Sequence, residues 1–293
     1  MITAVGLGAD PTLSHFAETA GGLGARVTLV DLGDQAEGRW RLGLPPDRSS
    51  WVSAQGVEFA LDPDAAVYCR LIDLGAQLPG RAVEWHTVTE AWSAWLELAP
   101  GRVVNRPGHP GDNSCKPLHE ELLARQGFAV PPSVTTSSAR LLRDFAGQGP
   151  CVAKPLSGQR ADCRVIGPAD LDRYDERSGP VHLQRWVAGT DVRVHVVGDR
   201  AIAQAVSSES VDYRTDRRAT YRRIDLDTEL ERALVAGTAA AGLAFAGWDL
   251  RLGDDTAWVF EVNPMPGYSH YDVRVDGEIT RALVAFLTEG DNR

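Results

Sequence analysis

Short apolar runs and amphipathic stretches alternate along the first third of the chain. Residues 2–7 read as a strand, 13–22 as a helix, and 26–31, Arg-Val-Thr-Leu-Val-Asp, as a second strand, which together make a β-α-β unit. Residues 64–71 form a further β-branched and aromatic run. Thr87-Val-Thr-Glu90 has the form of a capping box and predicts a helix opening there, with Trp92 and Trp95 on its core side. The Pro- and Gly-rich stretch 105–113 breaks the periodicity and marks a domain boundary. Beyond it, Ser114 is placed to cap a helix that carries Pro117 in its first turn and stops at Gly127.

From Pro150 onward period-two patterning dominates. Strands are predicted at 151–154, 181–187, 191–197 and 200–206, a helix at 228–243, and a strand pair at 248–252 and 258–263 around the turn Gly253-Asp-Asp255. A helix at 276–287 closes the chain. The class is α+β, in three units at 1–104, 105–183 and 184–293; at 293 residues a single core would be large.

Composition narrows the function. With 43% hydrophobic and 24% charged residues the chain reads as a folded soluble protein. No apolar run approaches the roughly 18 residues of a membrane helix, and Met1-Ile-Thr-Ala-Val5 lacks the basic flank of a signal peptide; the expectation is a cytoplasmic protein with no membrane partner. A net charge of -10 without a basic tail argues against nucleic acid, and the arginine-dense stretch 214–223 reads as a solvated loop. Cys69, Cys115, Cys151 and Cys163 show no metal or disulfide spacing and read as buried reduced thiols. Homo-oligomerisation is left open.

The strongest chemical signal is Gly247-Trp-Asp249-Leu-Arg251 followed by Val259-Phe-Glu261-Val-Asn263-Pro-Met-Pro-Gly267. Period-two geometry puts Glu261 and Asn263 on one face of a strand, and a hairpin partner can bring Asp249 beside them. Two carboxylates and an amide oxygen suit a hard octahedral cation such as magnesium. Among 30 basic side chains only Lys116 and Lys154 are lysines, which matters if both fall where phosphate is to be held. Gly6-Leu-Gly8 with Asp31 further on invites a dinucleotide-binding reading, but Pro11 stands where the third glycine of that fingerprint belongs. His195 and His270 have no partners at catalytic spacing, and His195, in an alternating strand, reads as a structural histidine.

In chain order, Lys154, Gln184-Arg-Trp-Val187, Gly189-Thr-Asp191-Val-Arg193-Val, Asp249, Glu261 and Asn263 resemble the ATP-grasp superfamily, RimK-like branch. The likeness runs from about Asn113 to the end, and the opening β-α-β unit is similar to the domain that precedes it in that family. The resemblance implies an ATP-grasp fold: a Rossmann-like N-terminal domain, a small lid domain and a C-terminal domain that clasps ATP. It implies that Lys116 and Lys154 touch the nucleotide phosphates, that Gln184 and the main chain near Trp186 and Val187 hold adenine, and that Asp191 accepts from the ribose. Ser157-Gly-Gln-Arg160 resembles the family's phosphate-covering loop, although with one glycine only; Ser157 and Arg160 are its candidate contacts. Asp249, Glu261 and Asn263 would hold magnesium. Arg193, Lys154 and Arg251 would act on the transferred phosphoryl group or the substrate carboxylate, with Arg214, Tyr268 and Tyr271 as further substrate-side candidates.

The activity so implied is that of a ligase that uses ATP and Mg2+ to activate a carboxylate as an acyl phosphate and to join it to an amine or hydroxyl. Its substrate would be an amino acid, a peptide or another small molecule, and the likeness extends to ligases that cyclise ribosomal peptides. A phosphotransferase with the same ATP clamp, and an ATP-binding module without turnover, are the alternatives.

Overall fold

The computed structural model describes residues 1–54, 57–72, 79–109, 111, 113–156, 163–210 and 213–289. Four sheets are present among them. The first is parallel, in the order β2 (Val27–Asp31), β1 (Ile2–Gly6), β6 (Ala66–Arg70), β7 (Val103–Val104). A small antiparallel sheet, β3 (Trp40–Arg41), β4 (Trp51–Ala54) and β5 (Val57–Ala60), lies between β2 and β6 in sequence. In this first unit α1 (Pro11–Gly22), α2 (Leu32–Glu37) and α3 (Ala82–Leu98) are the helices.

Local chemistry sets these elements. Asp10 caps α1 by accepting from Thr12 N at 2.9 Å, and Pro11 occupies the first turn, where its missing N–H costs nothing. The helix thus starts earlier than the apolar periodicity at Leu13 indicates. The expected helix start at Thr87 is wrong: Thr87 lies inside α3, where its hydroxyl donates to Val83 O at 2.7 Å. What organises α3 is the buried stripe Trp85, Val88, Trp92, Trp95 and Leu96, which packs on β1 and β6 through Val5, Val67 and Cys69. The two tryptophans are core residues, in edge contact at 5.7 Å. Asp31 accepts from Gly33 N at the start of α2 and from Gly8 N at 2.9 Å. A Cβ on Gly8 would stand 2.3 Å from the Asp31 carboxylate, so the acid that the dinucleotide reading gives to a ribose is committed to its own glycine loop.

The second sheet of four strands is antiparallel, in the order β10 (Arg164–Ile166), β9 (Cys151–Lys154), β11 (Val181–Arg185), β8 (Ser133–Thr136), and α5 (Ala139–Gly147) closes a small core over it. β11 runs through position 183/184. The helix expected to be capped by Ser114 begins one residue later: α4 (Lys116–Arg125) follows Cys115, whose side chain makes no cap bond, and Pro117 sits in its first turn. Cys115 is exposed and Cys163 only half-buried, contrary to the expectation of four buried thiols, while all four cysteines are free.

The third large sheet is antiparallel, β14 (Thr220–Ile224), β13 (Arg200–Ser207), β12 (Thr190–Val197), β15 (Phe245–Leu252), β16 (Ala257–Asn263). β14 corrects the expectation of a loop at 214–223. Tyr221 and Ile224 pack against the cores on either side of the sheet while Arg222 and Arg223 stay exposed, so the arginines hid an edge strand. One face of the sheet is apolar: Val192, Val194, Val196, Trp248, Leu250, Val259 and Val262 pack with Leu123 of α4 and Leu234 of α6 (Thr228–Ala240). The other face carries the polar residues.

The far end of the chain returns to the first unit. α7 (Ser269–Asp272) and α8 (Glu278–Thr288) share a core with Ile2, Leu13, Phe16 and Tyr68. Asp272 accepts from Ile279 N and Thr280 N at the start of α8 and meets His15 of α1 at 2.8 Å, tying the ends of the chain together. Asn105 does the same for the sheets: its side chain accepts from Ala244 N and Phe245 N and donates to Phe245 O and Pro264 O.

Candidate functional site

A cavity opens where α4, the β9–β11 pair and the polar face of the third sheet meet. Strand alternation delivers its floor. Asp191, Arg193 and His195 share one face of β12, and directly opposite on β15 stand Arg251, Asp249 and Gly247. Glu261 lies opposite Asp249, and Asn263 opposite Gly247. The hairpin therefore brings Asp249 beside Glu261 and Asn263 as the alternation implies. A bulge between Asp249 and Leu250 leaves Phe260 as the extra residue, and both Phe260 and Glu261 line the cavity.

The carboxylates differ in their partners. Asp249 Oδ1 accepts from Arg193 Nη1 at 2.9 Å and from the Tyr213 hydroxyl at 2.9 Å. Burial pushes the Asp249 carboxyl up, but Arg193, Arg214 and the Tyr213 bond outweigh it and hold it below the usual carboxylate range. For Arg193 burial likewise opposes the charge, yet Asp249 beside it holds the guanidinium above its ordinary value. Glu261 Oε1 accepts from Asn113 Nδ2. Asn263 turns back, accepting from Met265 N at 2.8 Å where the strand enters Pro264-Met-Pro-Gly267. Arg193 and Asn263 do not themselves reach the cavity lining.

Lys116 and Lys154, the two lysines, both line the cavity, Lys116 from the first turn of α4 and Lys154 from the end of β9. Burial, with Lys116 nearby, depresses Lys154 below the usual lysine range, partly offset by Glu120, Cys163 and Glu261. Its Nζ donates to Gln184 Oε1 at 2.5 Å and lies 4.9 Å from the Phe260 ring.

Gln184, Trp186 and Val187 follow one another along the cavity edge. Arg251, expected to be catalytic, sits with them. Its guanidinium grips both Asp191 oxygens at 2.9 Å, donates to Val187 O at 3.1 Å and lies 4.3 Å over Trp186. This follows from the register, because Arg251 opposes Asp191 on the neighbouring strand. Ser157 and Arg160 lie outside the described residues. Of the further substrate-side candidates, Arg214 lines the cavity, Tyr271 is buried with Arg193 5.7 Å over its ring, and Tyr268 is a core residue whose hydroxyl meets Thr280 at 3.2 Å. His195 is fully buried, and burial with Arg193 alongside depresses its pKa well below the ordinary histidine value, so it stays neutral; His270 is exposed against Tyr221.

Several residues of the site were not anticipated. Asn113 and Tyr213 hold Glu261 and Asp249, His119 accepts from Val262 N at 3.0 Å, and Glu120 lies buried beneath Gln184. Glu120 left a trace in the sequence: it stands one turn beyond Lys116 and three residues before the core residue Leu123, on the inner face of α4.

Comparison with known proteins places this geometry. The model of the RimK-like ATP-grasp domain matches residues 183–287, from β11 to α8. A probable alpha-L-glutamate ligase of Trichodesmium erythraeum (strain IMS101) is 29% identical over 187 residues, 57% of this chain, and the chain spans 61% of that ligase's length. A probable alpha-L-glutamate ligase of Histophilus somni (strain 2336) is 30% identical over 168 residues, 51% of this chain and 55% of the relative. Over nearly the whole chain, the ATP-grasp ligase PsnB complexed with a minimal precursor superposes with a TM-score of 0.79 at 26% identity, covering 98% of this chain and 97% of PsnB. The macrocyclase MdnC from Microcystis aeruginosa MRC, bound with precursor peptide MdnA, superposes with a TM-score of 0.82 at 16% identity, covering 99% of this chain and all of MdnC, and shares the fold. The fold is that of the ATP-grasp ligases, and residues 183–287 of the chain match the RimK-like ATP-grasp domain.

Proposed function

We propose that the chain is an ATP- and magnesium-dependent ligase that activates a carboxylate of a peptide and joins it to an amine or hydroxyl. The observation that carries this is the convergence of Lys116, Lys154, Asp249 and Glu261 on one cavity. His195, on the same face of β12 as Arg193, is held neutral by burial and takes no part. PsnB, the relative aligned over 98% of this chain, is known with precursor peptide PsnA2 and AMPPNP, which favours a peptide over a free amino acid.

The residues fit a magnesium nucleotide. Asp249 and Glu261 are cross-strand neighbours at the cavity, and Asp249 is held ionised by Arg193, as a hard-cation ligand must be. They would hold Mg2+, which when bound offsets charge on the phosphate oxygens. Lys116 and Lys154 supply ammonium groups to the phosphates, and Trp186, Val187 and Gln184 border the base. Asp191, aligned by Arg251, is the acceptor for the ribose. A substrate carboxylate oxygen attacks the γ-phosphorus as the bond to the β-phosphate oxygen breaks, giving an acyl phosphate and ADP. An amine or hydroxyl then attacks the acyl carbon, inorganic phosphate leaves, and the nucleophile gives up its proton. A carboxylate is already ionised near neutral pH and needs no base in the first step.

Hydroxylamine added with enzyme, ATP, magnesium and a peptide substrate is expected to trap the intermediate as a hydroxamate, one per ADP. Accumulation of a stable phosphate ester instead would make the enzyme a phosphotransferase, and nucleotide binding without any ADP release would make it a binding module.

A further inference from the structure

Beneath the base-binding edge of the cavity lies a carboxylate with no part in the reaction above. Glu120 on α4 is 6% exposed, and it is surrounded by donors. Its Oε1 accepts from Gln184 Nε2 at 2.6 Å and meets His182 Nε2 at 3.0 Å, while Oε2 accepts from Ser133 Oγ at 2.6 Å. His182 Nδ1 faces the Thr135 hydroxyl at 2.9 Å, which leaves the ring's Nε2–H for Glu120. Burial pushes the Glu120 pKa up, but the bonds from His182 and Ser133 and the nearby His182 and Lys154 hold it below the usual carboxylate range. At neutral pH it is an anion that can only accept.

This has a consequence for Gln184. A glutamine amide has two ends of nearly equal shape and opposite chemistry, and its partners decide which end points where. Glu120 takes the NH2 end. The oxygen must then face the other way, where Lys154 Nζ donates to it at 2.5 Å, an arrangement the reversed amide would forbid. Once phosphates engage Lys154, Gln184 Oε1 is an acceptor at the cavity edge, and Glu120 remains to keep it so.

We propose that Glu120 is a specificity-determining residue: by holding the Gln184 amide with its oxygen toward the cavity, it selects a purine carrying an amino group, not a carbonyl, at the six position. The inference rests on the cavity being a nucleotide site. It concerns a residue that touches no substrate and acts through Gln184. A carbonyl in place of the amine would set two acceptors against each other, and buried polar mismatches of this kind discriminate strongly. Replacing Glu120 by leucine removes the acceptor that holds the Gln184 NH2, which frees that end to turn to the cavity and to meet a carbonyl.

Calorimetry with ATP and ITP tests this on the full chain. The wild type is expected to bind ATP at least about 10²-fold more tightly than ITP. Glu120→Leu should contract that ratio about tenfold or more, with a smaller change in ATP affinity; a merely structural role would weaken both nucleotides alike and leave the ratio where it was. A wild type that binds the two equally, or a folded Glu120→Leu that keeps the wild-type ratio, overturns the proposal. Should Glu120→Leu not fold, Gln184→Met must also contract the ratio, and an unchanged ratio there overturns it. If the wild type binds neither nucleotide, the ATP reading itself falls.

Discussion

The Arg193 guanidinium lies against the bare Cα of Gly247: a Cβ there would stand 2.1 Å from Arg193 Nη2 and 2.7 Å from Pro266 Cβ. Gly247 opposes Asn263 and lies two residues before Asp249, so the absence of a side chain lets Arg193 lie flat over the strand and reach the Asp249 carboxylate. Gly247→Ala should displace the arginine while leaving the apolar face of the sheet untouched. Turnover, measured as substrate-dependent ADP release, is expected to fall about tenfold, because Asp249 loses the partner that holds it ionised for the metal. ATP affinity should change far less. Wild-type turnover in this variant would remove Arg193 from the reaction.

The strands of the third sheet were legible because period-two patterning is strongest where one face is wholly apolar, as with Val192, Val194 and Val196 against Asp191, Arg193 and His195. The same alternation put Glu261 and Asn263 on one face and allowed Asp249 to join them. Strand β14 was missed because Arg222 and Arg223 mask Tyr221 and Ile224, and charge outweighed an edge strand's short pattern. The start of α3 was missed because Thr87-Val-Thr-Glu90 has a capping box's composition inside a helix whose true N-cap, Arg81, makes no side-chain capping bond. Tyr213 and Asn113 could not be found from spacing: each reaches its carboxylate from an irregular segment far away in sequence, and only the fold supplies that contact.

His195 should leave a mark on stability. It is buried and neutral, with a pKa depressed by burial and by Arg193, whereas in the unfolded chain it titrates near 6.5. As pH falls below that value the unfolded state takes up a proton that the native state refuses, so stability drops on acidification, by at most about 1.4 kcal/mol per pH unit from this one group. Urea unfolding between pH 7 and 5.5 should show a shallower decline in His195→Leu than in the wild type. Parallel declines would mean that His195 is protonated in the folded protein.

Lys154→Ala should weaken ATP binding. A charge-assisted hydrogen bond to phosphate contributes about 1.5 to 3 kcal/mol, equivalent to about 10- to 150-fold in affinity. The depressed pKa adds a second signature: as pH rises through it Lys154 loses its charge, so wild-type affinity should decline at lower pH than an ordinary lysine would allow. The variant lacks that limb. Calorimetry across pH 7 to 10 measures both, and an unchanged affinity in folded Lys154→Ala would pass the phosphate role to Lys116.

The proposed metal site can be tested most cleanly at Glu261. Asp249→Asn and Glu261→Gln should each abolish magnesium-dependent turnover, since a neutral amide is a poor substitute for a carboxylate at a hard cation. The two differ in what else they disturb. Asp249 neutralises the buried Arg193, so its loss leaves an uncompensated charge that costs about 3 to 5 kcal/mol, and a dead Asp249→Asn enzyme could be dead through misfolding. Glu261 accepts from the Asn113 amide, which the oxygen of a glutamine can still satisfy. Glu261→Gln should therefore keep the wild-type Tm while losing activity at saturating magnesium. Tyr213→Phe provides a graded case: the ring stays buried, Arg193 stays paired, and one hydrogen bond to Asp249 Oδ1 is lost. Several-fold more magnesium should be needed for half-maximal ADP release, with a matching fall in Mn2+ binding measured by paramagnetic relaxation. Near-normal turnover in a folded Glu261→Gln enzyme would show that this strand pair does not hold the metal.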